Sequence, residues 1–202
     1  MRRGRRIDWS NVAFAFMACT IVCQAPAAAG AREDGPGAFR AHCLESHTSQ
    51  DDPLVFPGLP GAAHHYVFFG NHGVDADTGI DDLAATNRTT CDGWTLNRSA
   101  YWVPALYDAH GERVEYVAPL FYDKTGYHVP ASTMEPPLEG LRMIAGNAHA
   151  TAPQGTQVVK FQCASWEPER RRFDPGDPRD HVDYLPDCPR DDLLEVRVVF
   201  PQ

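Results

Sequence analysis

The chain has 202 residues, 27 acidic against 18 basic side chains, and a formal net charge of −9. That balance argues against a nucleic-acid or anionic-membrane partner, because both require a positive face. With 43% hydrophobic residues, the length suffices for one domain with a real core and excludes a chain too polar to fold.

In chain order, the first element is an export signal. Arg2, Arg3, Arg5 and Arg6 form a positive leader, residues 12–23 (VAFAFMACTIVC) are an uncharged apolar run, and Ala27, Ala28, Ala29, Gly30 and Ala31 supply small residues for cleavage. About 12 apolar residues are too few to cross a ~30 Å hydrocarbon core. We therefore assign 1–31 as a cleaved signal peptide, with cleavage after Ala29 or Ala31, and 32–202 as one secreted domain. No membrane span remains after its removal. Lipid anchoring at Cys19 is not expected, because Phe16 is an unusual residue three positions before a lipidated Cys. Loss of 1–31 removes four Arg and one Asp and takes the net charge from −9 to −12.

Downstream, period-two alternation marks the strands. HHYVFFG (64–70), SAYWVPALY (99–107), EYVAPLFYD (115–123), VVKFQC (158–163) and LLEVRVVF (193–200) each place apolar residues on one face or carry β-formers throughout. Pro104 and Pro119 suit an edge or a bulge. The only helix candidate is 79–86, and 166–190 reads as a charged, Pro-rich loop. Sixteen Gly and 17 Pro spread along the chain imply many short elements joined by turns. The expected fold is mainly β, an antiparallel, sandwich-like single domain with long loops.

Four cysteines remain in the mature chain: Cys43, Cys91, Cys163 and Cys188. An even number in an exported protein predicts two disulfides. We expect Cys43–Cys91 and Cys163–Cys188, since sequential pairing closes two moderate loops. No C-x-x-C pair supports zinc, and nothing in the pattern points to a metal or another cofactor.

Four segments carry a family likeness: CLESHTSQDDPLVFPG (43–58), HHYVFFGN (64–71), TTCDGWTLNRSAYWVPALY (89–107) and PLEGLRMIAG (137–146). In order and spacing they resemble the secreted domain of unknown function DUF1996 of fungi and bacteria. The resemblance implies no established activity. In fungi the domain is often joined to a WSC module, a cell-wall carbohydrate-binding domain, which points to polysaccharide by association. The family's box, Ser-His-x-His-x-Phe-Phe-Gly-Asn, places His64 at its first His, Tyr66 where the second His is usual, and Asn71 at its end. Asn97 stands where an acidic residue is usual. The family also continues past Phe200-Pro201 with a further Cys- and His-containing segment, so the chain reads as shortened at its C-terminus.

On a strand His64 and Tyr66 share a face, and His65 faces away. His64 and Tyr66 are the candidate catalytic pair, of the type that exchanges protons at a sugar carbon in polysaccharide lyases; the alternative is a packed aromatic face. His47, Asn71, Tyr101, Trp102 and Arg142 are candidate ligand-binding residues: Tyr101 or Trp102 as a sugar-stacking ring, Arg142 as the partner of an acidic sugar. Tyr101 and Trp102 are neighbours, so one of them faces the core. Asp51-Asp52-Pro53 is either a carboxylate site for a cation or a turn. Asn87-Arg88-Thr89 and Asn97-Arg98-Ser99 are glycosylation sequons, and Arg170–Arg172 is a solvated run. There is no G-x-S-x-G elbow, P-loop, dinucleotide fingerprint or H-E-x-x-H. Two functions fit: a non-catalytic domain that binds envelope or environmental polysaccharide, or a carbohydrate-active lyase or hydrolase built on His64 and Tyr66.

Overall fold

The architecture comes from a computed structural model, which describes residues 37–117, 119–125, 129–147, 149–167, 172–174 and 181–200. Residues 1–31, expected to be a signal peptide, the Arg170-Arg171 pair and the last two residues lie outside the described residues. All named strand pairings are antiparallel and helix is nearly absent, as expected.

Three small sheets account for the strands. β1 (Ala38–His42) pairs with β5 (Leu120–Lys124). β2 (Glu45–Ser49), β3 (Tyr66–Gly70) and β4 (Ala100–Pro104) form the second sheet, with β3 central. β6 (Val159–Glu167) lies between β7 (Arg172–Asp174) and β8 (Leu193–Val198) in the third. The hairpin of β6 and β7 occupies the start of the stretch read as a loop; Trp166 pairs there with Phe173. The short helix α1 (Ile80–Ala85) falls within the expected 79–86, with Asp82 Oδ2 accepting from the Gly79 backbone N–H at 2.8 Å. β5 begins after Pro119 rather than at Glu115, since proline cannot donate to a ladder. Tyr116 instead folds inward and donates its hydroxyl to the Pro104 carbonyl at 3.0 Å.

The central core is built from the alternation on β3. Val67 and Phe69 point to one side, where they meet Ala41 of β1 and the buried Cys43–Cys91 bridge. Tyr101 and Val103 of β4 and Phe121 of β5 complete this layer, with Tyr101 stacked on Phe121 at 3.9 Å between centroids. Sheet β1–β5 therefore packs on β2–β3–β4 in the manner of a sandwich. Cys43 and Cys91 also face each other as an isolated antiparallel bridge, so the disulfide extends the sheet contact covalently. The second bridge, Cys163–Cys188, ties β6 to the segment before β8. Both pairings are those expected.

In the third sheet the alternation holds in register but not in burial. Phe161 pairs with Val196, and Gln162 with Glu195. Gln162 and Ala164 are buried, at 4% and 5% exposure, while Leu194 and Val198 on the apolar face are 36% and 37% exposed. Gln162 is satisfied in part by donating to Glu195, which also holds Arg197 at 2.6 Å.

Candidate functional site

The other side of β3 carries the residues singled out for function. Tyr66 and Phe68 project there, with Trp102 on β4 and His47 on β2 beside them. Phe68 is sandwiched: His47 stacks on it at 4.6 Å with planes 6° apart, and Trp102 at 5.6 Å and 29°. This face is covered by two loops. The first, 50–63, is closed at its base by Ala63 N donating to Gln50 O at 2.9 Å. The second, after β3, buries Val74 and Ala76, and its Val74 carbonyl accepts the His47 Nε2 proton at 2.8 Å. A carbonyl can only accept, so Nε2 is protonated and His47 Nδ1 is left facing Ser46 Oγ at 3.0 Å.

Asp52 fixes the first loop to the sheet. Only 3% exposed, its carboxylate accepts from the backbone N–H groups of Leu54 and Val55 at 2.9 Å each and from Trp102 Nε1 at 3.3 Å. The Tyr66 hydroxyl lies close enough to feel its charge. Asp51 is used similarly, accepting from Ser49 Oγ at 2.6 Å and from Gly61 N at 2.8 Å. These are the contacts of a turn, and they fill both carboxylates with protein donors. Among the described residues no group of three or more His, Cys, Asp or Glu is arranged to hold a metal ion.

The acid–base character of Tyr66 follows. Burial raises its pKa above the ordinary 10.0, and the charge and hydrogen bond of Asp52 raise it further. Tyr66 is thus held as the protonated phenol at neutral pH. Burial also raises Tyr101 and Tyr116. Groups that hold their protons more tightly when folded stabilise the fold below the unfolded pKa, and that stability is lost as pH rises through the folded values. We expect the melting temperature to fall steeply only above about pH 10, with tyrosinate absorbance rising in the same interval; a melt that weakens first between pH 8 and 9 would contradict this.

His64 precedes β3, is exposed, and meets Tyr66 edge to face with centroids 6.2 Å apart. With Phe56, Ala62, Ala63 and His149 it lines a hollow of about 200 Å³. His65 faces away and bonds the Tyr107 hydroxyl through Nδ1. The remaining candidates are dispersed. His47 stacks on Phe68 and is held by the Val74 carbonyl of the second loop, and it does not line the hollow at His64. Asn71 is 1% exposed; its amide donates to Leu83 O at 3.3 Å and Arg98 O at 3.1 Å, and its oxygen accepts from Gly73 N. Tyr101 faces the core and Trp102 the opposite side. Arg142 is exposed and lines neither this hollow nor the one described below.

His149 and Phe56 had no signal in the sequence, because His149 lies 85 residues beyond His64 and 93 beyond Phe56, and the three meet only through the fold. Asp52 did carry one, the Asp-Pro turn, but its bond to Trp102 spans 50 residues.

The site and frame define a mainly β domain stapled by two disulfides, whose aromatic face is locked to a buried carboxylate. The model of the domain of unknown function DUF1996 matches residues 52–202, and the chain belongs to that family. Neither a curated protein nor a solved structure matches it. Among the described residues no helix is long and apolar enough to cross a membrane, and the two disulfides fit an oxidising compartment.

Proposed function

We propose that this is an exported, non-catalytic domain that binds envelope or environmental polysaccharide at the hollow around His64. The observation that carries this reading is the hollow walled by the exposed His64 ring, His149 and the Phe56 side chain, next to a Tyr66 whose raised pKa keeps it protonated. Such a wall offers ring faces and imidazoles to a sugar, while the neighbouring Tyr66 phenol does not line it. The alternative, a lyase or hydrolase, draws on the edge contact of His64 and Tyr66. To serve as the base, Tyr66 must give up a proton that burial and the Asp52 charge hold in place.

Titration of the mature protein with neutral and acidic polysaccharides tests this. Saturable binding without chain cleavage is expected, weakened about tenfold in His64→Ala, a loss of roughly 1.4 kcal/mol. Product formation that disappears in His64→Ala would establish the enzyme instead.

A further inference from the structure

A second hollow, of about 290 Å³, opens at the other end of β3 and is lined by His72, Asn87, Arg88, Thr89 and Thr95. Its walls are held by the backbone. Asn71 bridges Thr89 and takes the Ser99 carbonyl at 3.0 Å, and His72 N donates to Arg88 O at 3.2 Å. The buried Asn71 amide reaches Arg98 O from behind. The 87–89 and 95–99 segments are thereby fixed on either side of 71–72.

The lining is a set of donors with no carboxylate. The Arg88 guanidinium has no hydrogen bond or ion pair among the described residues, although the chain carries nine excess negative charges. Thr89 Oγ1 already accepts from Cys91 N at 3.2 Å, which leaves its hydroxyl proton to donate outward. Thr95 and Asn87 are exposed and add a hydroxyl and an amide. The acid nearest in sequence to both threonines, Asp92, is exposed and does not line the hollow. In the same 95–99 segment, Asn97 Nδ2 and Arg98 Nε are buried donors without an acceptor. The segment as a whole is therefore short of acceptors.

We infer that this hollow is an oxyanion site, with Arg88 as the charged contact and Thr89 and Thr95 as hydroxyl donors. Carboxylate, sulfate and phosphate share the chemistry it selects: a negative group with several acceptor oxygens, matched to a guanidinium fork and converging O–H groups. The site is separate from the hollow at His64 and does not depend on what binds there.

The test uses glucuronate, inorganic sulfate and inorganic phosphate in parallel titrations of the mature protein, at constant ionic strength set with chloride. Amide resonances of Thr89 and Thr95 report binding. Saturable shifts with at least one of the three are expected, and the three arms distinguish which oxyanion is preferred. Arg88→Gln should weaken that binding at least about tenfold, and Thr95→Val about threefold. Both residues are exposed, so the melting temperature should not move. His64→Ala should bind the oxyanion normally. Absence of saturation with all three, shifts reproduced by chloride alone, or undiminished binding in Arg88→Gln would each overturn the assignment.

Discussion

Replacing Cys43 and Cys91 together by alanine should lower the unfolding free energy by about 4 kcal/mol, more than the corresponding change at Cys163 and Cys188. The first bridge spans 48 residues and the second 25, and the chain-entropy cost of an open loop grows with its length; the shorter loop is worth about 3.5 kcal/mol on the same scale. The gap widens in practice because Cys43 and Cys91 are 0% and 5% exposed and sit among Ala41, Val67 and Phe69. Their removal takes packed sulfur out of the joint between the two sheets. Urea unfolding of C43A/C91A and C163A/C188A measures the order. A larger loss at the second pair would show that the joint is held by packing alone.

Asp52→Ala should cost about 3–5 kcal/mol. It strands the Leu54 and Val55 amides and the Trp102 indole N–H at one buried point. Asp52→Asn should cost about half as much, since Oδ1 can still accept from the two backbone groups while an NH₂ now faces the indole donor. Because Asp52 contributes charge and a hydrogen bond to the raised Tyr66 pKa, both variants should ionise Tyr66 at lower pH than the parent chain. Urea melts and alkaline absorbance titration report the two effects. An Asp52→Ala loss below about 1 kcal/mol would mean that loop 50–63 is held by other contacts.

How much of this was legible in the sequence depends on the range of the interaction concerned. HHYVFFG announces β3 because aromatic and β-branched residues crowd seven positions, and the opposite facing of Tyr101 and Trp102 follows from strand geometry alone. The helix at 79–86 shows in a short apolar pattern beginning at Gly79. β1 and β2 gave no such signal. ESHTS has no apolar side chain, and it becomes a strand because β3 presents a ladder to it. The alternation within β6 and within β8 was readable, but neither their pairing nor which face is buried, since burial is decided by what packs outside the pair. At the candidate site, His64 and Tyr66 are two residues apart and their shared face was predictable. The hold of Asp52 on Tyr66 and Trp102, and the arrival of His149, are long-range facts of folding.

The self-closure of loop 50–63 bears on how this domain can vary. Its two ends meet through Ala63 N and Gln50 O, and its Asp51 and Asp52 anchors sit within the first three positions. Residues 57–62 beyond them are exposed throughout. Side-chain composition at that tip is therefore uncoupled from the register of β2 on β3, which is set at the base, while the tip backbone stays tied to Asp51 through Gly61 N and to Ala76 O through Gly58 N. Because Ala62 borders the hollow at His64, a change of tip reshapes the mouth of that hollow while the sheet beneath keeps its pairing. Diversification of recognition and conservation of the scaffold can proceed on separate residues of one loop.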